Sequence, residues 1–376
     1  MKILYTNFHP RNGGGHVTYI LNLARGLAPA HDITVATPAT SRLYRYAGAI
    51  PGVKVVDARF STRASGFFAE RAALRGLIAR EGYDVVHVNG SSDHRHVMLA
   101  TLGMRRPRIV FTKHNDLPLN TLGHRLRARF ATDYVIAVSD FVAGLLRDSP
   151  YRALPIATIR HGIDTEYFSP PSSSLHEALR ERYFGPAWRG KILLGSAGGT
   201  DYDKGWLDLM AALAALAPEQ RERFRVLVAG DPPNDAKMAR VRELGVQDLV
   251  VFPGLLDDVR PALAACDVGF VLSYREALSF ACREVMALGL PALVTSAGGL
   301  PENIIDGVDG WIVPVRAPDA IAAVLRGILD DPGRIAAMGA AARERSAREF
   351  SLGPFVASTF EVYQAALAAA PARRPA

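Results

Sequence analysis

Two glutamates with seven residues between them, Glu276 and Glu284, are the first candidates for chemistry in this chain. They stand in Ser273-Tyr274-Arg275-Glu276-Ala277-Leu278-Ser279-Phe280-Ala281-Cys282-Arg283-Glu284, where Glu276 follows an expected strand and a helix starts near Ser279. The amides of a first helical turn point outward unpaired and can seat a phosphate or a sugar hydroxyl. Carboxylates on either side of that seat accept hydrogen bonds from neutral hydroxyls, which suits a sugar and a ribose. Taken alone, the pair reads more simply as a cap and a solvated helix residue. Other stretches add to it. In Gly198-Gly199-Thr200-Asp201-Tyr202-Asp203-Lys204-Gly205-Trp206 a Gly-rich loop leads into a helix, with Lys204 as a cation for a diphosphate. Asp201 and Asp203 have the spacing of a metal-binding D-x-D pair, but two acids before a helix also make caps, and capping is the reading preferred. No metal requirement is expected.

The first half has its own Gly-rich turn, Asn12-Gly13-Gly14-Gly15-His16. Three glycines let main-chain N–H groups approach a ligand at a helix start. A dinucleotide fingerprint would need a third spaced glycine, and Tyr19 stands near its place, which disfavours NAD. A plain tight turn is the alternative. His114 ends another expected strand, in Phe111-Thr112-Lys113-His114-Asn115.

The elements that must position these residues alternate strand and helix from end to end, the pattern of a parallel α/β sheet. Strands are expected at 2–6, 32–37, 53–57, 84–88, 108–112, 134–138 and 156–160, with helices at 16–27, 67–80 and 141–147. Pro170-Pro171-Ser172-Ser173-Ser174 breaks the pattern and places a linker at about 165–175. The pattern then restarts, with strands at 191–196, 225–229, 249–252, 267–272 and 291–295 and helices at 205–216, 236–244, 260–265 and 280–288. Residues 352–369 read as a last helix, and 370–376 as a disordered tail. The fold class is therefore two doubly wound α/β domains in series. Such sheets bind ligands at the carboxyl ends of their strands, so a crevice between the two is the default site.

The order of these motifs carries a resemblance. A first Gly-rich loop, His161-Gly162-Ile163-Asp164-Thr165 at the linker, Lys204-Gly205, the spaced glutamates with Gly289-Leu290-Pro291, and Gly298-Gly299-Leu300-Pro301-Glu302 together resemble the large retaining family of GT-B glycosyltransferases. Bacterial lipopolysaccharide and capsule sugar transferases, mannosyltransferases and sucrose synthase belong to it. The resemblance implies two Rossmann-like domains facing a deep interdomain cleft: 1–168 for the acceptor, 169–351 for the nucleotide sugar, and 352–376 packing back toward the first. It implies His114, Lys204 and Glu276 as catalytic residues. Glu284 would hold the ribose, Glu276 the sugar hydroxyls, Lys204 the leaving diphosphate, and Gly14, Gly15 and backbone around Leu278, Ser279 and Phe280 the donor. No carboxylate nucleophile stands out beside His114, which favours front-side attack, although Asp116 keeps a covalent route open. The family's arginine five residues before the lysine is Gly199 here, and Arg275 could supply the missing charge.

Composition sets limits around this reading. The chain of 376 residues is 49% hydrophobic and 22% charged, as in a globular protein of two or three domains. Two cysteines cannot form a disulfide framework, and neither a signal peptide nor an apolar run long enough to span a membrane is seen, so a cytoplasmic protein is expected. Residues 1–164 hold 22 Lys+Arg against 11 Asp+Glu, whereas the remainder holds 22 against 26. With Phe67, Phe68 and the runs Arg105-Arg106-Pro107-Arg108 and Arg125-Leu126-Arg127-Ala128-Arg129, the basic first half suits peripheral docking on the anionic inner face of the cell membrane. Nucleic acid is disfavoured for want of a stacking or zinc motif. The partners expected are a nucleotide sugar, UDP before GDP from prevalence alone, and a lipid-linked or polysaccharide acceptor, as in lipopolysaccharide, O-antigen or capsule synthesis. The competing readings are a sugar-nucleotide epimerase and a catalytically silent binding protein.

Overall fold

The computed structural model describes residues 1–11, 14–61, 64–104 and 107–369. Asn12, Gly13, Arg105, Arg106 and 370–376 lie outside the described residues. The chain divides into two compact units, Met1–Gly162 with Leu352–Ala376, and Ile163–Ser351. The division falls after Gly162 instead of at 168/169, for a local reason. Asn22 Nδ2 donates to the Gly162 carbonyl at 3.1 Å, within the first unit, while Ile163 N donates to Phe350 O at 2.7 Å, within the second.

The first unit holds β1 (Lys2–Thr6), β2 (Asp32–Thr37), β3 (Val53–Asp57), β4 (Val85–Val88), β5 (Arg108–Lys113), β6 (Tyr134–Ala137) and β7 (Ile156–Thr158). They form one parallel sheet in the order 3-2-1-4-5-6-7. In the second unit, β8 (Ile192–Ser196), β9 (Phe224–Val228), β10 (Val250–Val251), β11 (Val268–Val271), β12 (Ala292–Thr295) and β13 (Gly310–Val313) run 10-9-8-11-12-13, also parallel. Both faces of this sheet are covered. Ile192, Leu194, Phe224, Val226 and Val228 join one apolar core, and their alternates Leu193 and Leu227 join the other. Strand order reverses between β1 and β4 and between β8 and β11. Loops leaving those strands at their carboxyl ends diverge and open a crevice in each unit.

Several elements escape the apolar-period reading. The helix Ser91–Ala100 buries Asp93, His94 and His96, so its inner face is polar and leaves no hydrophobic stripe. The serines taken for a linker instead start the helix Ser173–Phe184, where Ser172 accepts from Leu175 N as its N-cap. The short helix Arg42–Gly48, the Arg-rich helix Leu122–Phe130, strand β13 and the helices Pro318–Asp330 and Gly333–Glu349 also go unread. Among the described residues no helix is long and apolar enough to cross a membrane.

The helix Leu352–Ala368 belongs to the first unit and buries Phe355, Val362 and Tyr363 there. It packs on the helix Gly15–Leu27 at Gly26, where an added Cβ would come within 2.5 Å of Val356. Tyr363 carries a buried polar chain. Its hydroxyl meets the Tyr5 hydroxyl at 3.0 Å and His87 Nδ1 at 2.6 Å, and His87 Nε2 meets Thr112 Oγ1 at 2.6 Å. Thr112 Oγ1 in turn lies 3.1 Å from the Tyr19 hydroxyl. Buried polar atoms of this kind cost free energy when a partner is lost. Tyr363→Phe is expected to destabilise the first unit by about 1–3 kcal/mol, measured by urea denaturation, since it strands His87 Nδ1 and the Tyr5 hydroxyl.

Candidate active site

The crevice loops of the second unit follow β8 and β11. After β8 the chain turns through Gly199 (φ 92°), and Tyr202–Lys204 form a single 3-10 turn ending at Gly205 (φ 66°). Gly205 is fixed twice: its φ favours glycine, and a Cβ there would lie 1.9 Å from the Leu272 carbonyl oxygen. That approach lets Tyr274 N donate to Asp203 O at 2.8 Å, which ties the two loops together. Lys204 Nζ then stands 3.9 Å from Glu276 Oε2, with both side chains partly exposed. The structure thus brings these two sequence-derived residues together. It corrects the reading of Asp201 and Asp203 as caps. Asp201 opens the 3-10 turn without a side-chain capping bond, and Gly205 occupies the N-cap of the helix Trp206–Ala214.

The loop carrying Glu276 is held through its carbonyls. Thr295 Oγ1 donates to Ser273 O at 2.6 Å, Gly299 N to Glu276 O at 3.1 Å, and Asn303 Nδ2 to Leu278 O. Asn303 is itself buried, and its Oδ1 accepts from Arg283 Nε at 2.8 Å. Ser279 caps the helix Phe280–Ala287, accepting from Cys282 N at 3.3 Å, at φ 91°. A non-glycine residue there is strained by about 1–3 kcal/mol, and such strain collects at functional sites. Leu278 is buried and Phe280 half-buried. Tyr274 Oη donates to Asp208 Oδ1 at 3.2 Å, and the Arg316 guanidinium lies 4.5 Å from the Tyr274 ring centre. Arg275 is exposed. Sequence reasoning missed Asn303, Tyr274 and Arg316, because nothing in their spacing marks the loop they hold.

Glu284 lies in the second turn of that helix, half-buried. Burial, with Asp258 nearby, pushes its carboxyl up to about 7. Asp258 pairs with Arg260 at 2.7 Å.

In the first unit, Gly14 (φ 50°) is the N-cap of the helix Gly15–Leu27, which has no side-chain cap and no acid in its first turn. His114, just past β5, is half-buried. Its ring lies 4.3 Å from that of His16 and 4.6 Å from that of Tyr19, and its Nε2 is 2.9 Å from Asn89 Oδ1. Burial, reinforced by His16, His87, His161 and His9, holds His114 well below the ordinary histidine range, so it is neutral. The structure therefore places the first-half candidates, Gly14, Gly15 and His114, in one unit and Lys204, Glu276, Leu278, Ser279, Phe280 and Glu284 in the other.

Comparisons with known proteins match the two halves of the chain separately. Residues 13–167 match the model of Glycosyltransferase Family 4, and residues 191–331 match that of Glycosyl transferases group 1. The chain belongs to the GT-B glycosyltransferases. A D-inositol 3-phosphate glycosyltransferase of Kribbella flavida is 29% identical, over 89% of this chain and 87% of its own length. The crystal structure of Anabaena Alr3699/HepE in complex with UDP shares the fold, with a TM-score of 0.82 at 20% identity, covering 97% of this chain and all of that one. WaaG, a glycosyltransferase involved in lipopolysaccharide biosynthesis, superposes with a TM-score of 0.75 at 19% identity, covering 95% of this chain and 99% of that one.

In this glycosyltransferase a glutamate that titrates near 7 links stability to pH. The carboxyl's extra affinity for its proton stabilises the fold below the ordinary glutamate range, near 4, and that stability is lost as pH rises through about 7. Glu284→Gln lacks this dependence. Relative to the parent it should gain stability between pH 4 and pH 8, by up to about 3 kcal/mol, read from denaturation midpoints across that range.

Proposed function

We propose that this glycosyltransferase moves a hexose, with retention of anomeric configuration, from a nucleoside diphosphate sugar to a hydroxyl of a lipid-linked or polysaccharide acceptor. Lipopolysaccharide, O-antigen or capsule synthesis would use such a step. The observation that carries the reading is Lys204 Nζ 3.9 Å from the Glu276 carboxylate, in a loop that ends on the strained cap Ser279. A cation, an acceptor carboxylate and a helix start are what a sugar diphosphate needs in one place. The UDP bound in the Anabaena neighbour supports UDP as the nucleotide, and WaaG supports a lipopolysaccharide-type acceptor. The Kribbella relative's name favours a second acceptor class, a phosphorylated inositol.

In this mechanism the bond from the anomeric carbon to the diphosphate oxygen breaks, the acceptor oxygen forms its bond on the same face, and the acceptor's proton passes to the departing diphosphate oxygen. Charge builds on the leaving diphosphate, where Lys204 neutralises it, aided by first-turn amides near Leu278, Ser279 and Phe280. Preorganised electrostatics of this kind are commonly the largest catalytic term. Glu276 accepts hydrogen bonds from sugar hydroxyls. Glu284 accepts from the ribose, and a hydroxyl arriving at a carboxyl with a raised pKa favours its ionised form. Gly14 and Gly15 offer backbone N–H groups, and neutral His114 orients a hydroxyl. No metal takes part in this reading.

The peripheral docking proposed at the inner membrane face has a surface to rest on. Leu122 and Leu126 are exposed at 70 and 40% on the helix Leu122–Phe130, together with Arg125 and Arg129, and Leu117, in the loop before it, is exposed at 51%. Phe68 is exposed beside Arg71, whereas Phe67 packs against His96.

Nucleotide release from a panel of UDP- and GDP-sugars, with lipid, polysaccharide and inositol phosphate acceptors, tests the activity. Acceptor-stimulated release that persists in EDTA is expected, and Lys204→Ala should lower turnover by roughly 10²–10³. Isomerised donor would indicate an epimerase, and binding without turnover a silent receptor. Abolition by EDTA with recovery in manganese would overturn the metal-free step. In vesicle sedimentation, the protein should prefer anionic over neutral lipid, and Leu122→Ser with Leu126→Ser should reduce pelleting; equal partitioning would end the docking proposal.

A further inference from the structure

The carboxamide of Asn89 sits at the carboxyl end of β4, next to the strand reversal of the first sheet, and is almost fully buried. All its polar contacts point one way. Its Nδ2 lies 3.2 Å from the Thr6 carbonyl and 3.2 Å from the His87 carbonyl. Backbone carbonyls only accept, so both amide hydrogens are committed to them and the oxygen must face the remaining partner. That partner is His114 Nε2, 2.9 Å from Oδ1. A carboxamide oxygen only accepts too, so Nε2 must carry the proton. The backbone is pinned as well: Asn89 N donates to Asp93 Oδ2 at 2.9 Å, and the same oxygen accepts from Thr6 Oγ1 at 2.7 Å. Ring packing by His16 at 4.3 Å and Tyr19 at 4.6 Å restrains the imidazole plane.

We propose that Asn89 is a positioning residue that fixes His114 as the Nε2–H tautomer and so presents Nδ1 as a hydrogen-bond acceptor for a substrate hydroxyl. His114 then takes a hydrogen bond from the hydroxyl it orients and cannot donate a proton toward the leaving diphosphate. The substrate half of this inference rests on the transferase reading above. The tautomer half does not.

The tautomer is read directly by nitrogen-15 NMR of the full-length protein, with His114 assigned by the loss of its signals in His114→Gln. A protonated Nε2 beside an unprotonated Nδ1 is expected at neutral pH. The opposite pattern, or a doubly protonated ring, overturns the proposal without any variant of Asn89 having to fold. Asn89→Leu, checked for folding by circular dichroism, should lose the single-tautomer signature. Its turnover should fall on the order of tenfold to a hundredfold with little change in donor KM. Retention of a pure Nε2–H signal in Asn89→Leu, or unchanged turnover, would show that Asn89 sets neither. Because the spectrum needs no substrate, a protein inactive on every donor would defeat the transferase reading while the spectrum still decided the tautomer.

Discussion

No side chain fits between Gly205 and the carbonyl of Leu272. From that exclusion the geometry of the second unit's crevice follows. The loop after β8 can close onto the loop after β11 only with a bare α-carbon at the contact, and only then do Asp203 and Tyr274 share a backbone hydrogen bond. Lys204, one residue before the glycine, is thereby carried to Glu276, two residues beyond the tyrosine. Their proximity is a property of the main chain, which positions groups more rigidly than a pair of long side chains reaching across solvent could.

The same economy appears on the other side of Glu276. Its loop is held by donors that occupy carbonyls: Thr295, the Gly299 amide and Asn303. With these acceptors taken, the path of the loop from Ser273 to Leu278 is fixed from three sides. Ser279 sustains a backbone angle usually left to glycine, and its hydroxyl offsets part of that cost by capping the helix it begins.

Much of this was legible in the sequence. The central strands of both sheets are mostly apolar, and β1, β2 and β3 fall where alternation of strand and helix places them. Glu276, Glu284 and Lys204 were visible because their spacing follows the strand–loop–helix unit that holds them. What stayed hidden were elements whose inner faces are polar. The helix Ser91–Ala100 buries an aspartate and two histidines, and a run of serines that looked like a linker supplies a helix cap. Asn89 and Asn303 were equally unreadable, because each acts through carbonyls distant in sequence, as Thr6 is from Asn89. The aspartates before Lys204 show the converse: a sequence that looks like a cap can stand beside a helix that glycine begins.

The last helix gives the molecule an order of assembly. Tyr363 enters the same buried polar chain as Tyr5, separated from it by nearly the whole length of the polypeptide, and the entire second unit lies between them along the chain. During synthesis the first sheet therefore emerges long before the helix that covers it. Until the ribosome has finished the second unit, His87 Nδ1 and the Tyr5 hydroxyl lack Tyr363, and the surface awaiting Phe355 and Val362 remains open. The half of the protein made first is the half completed last, and its final contacts close across nearly the whole polypeptide.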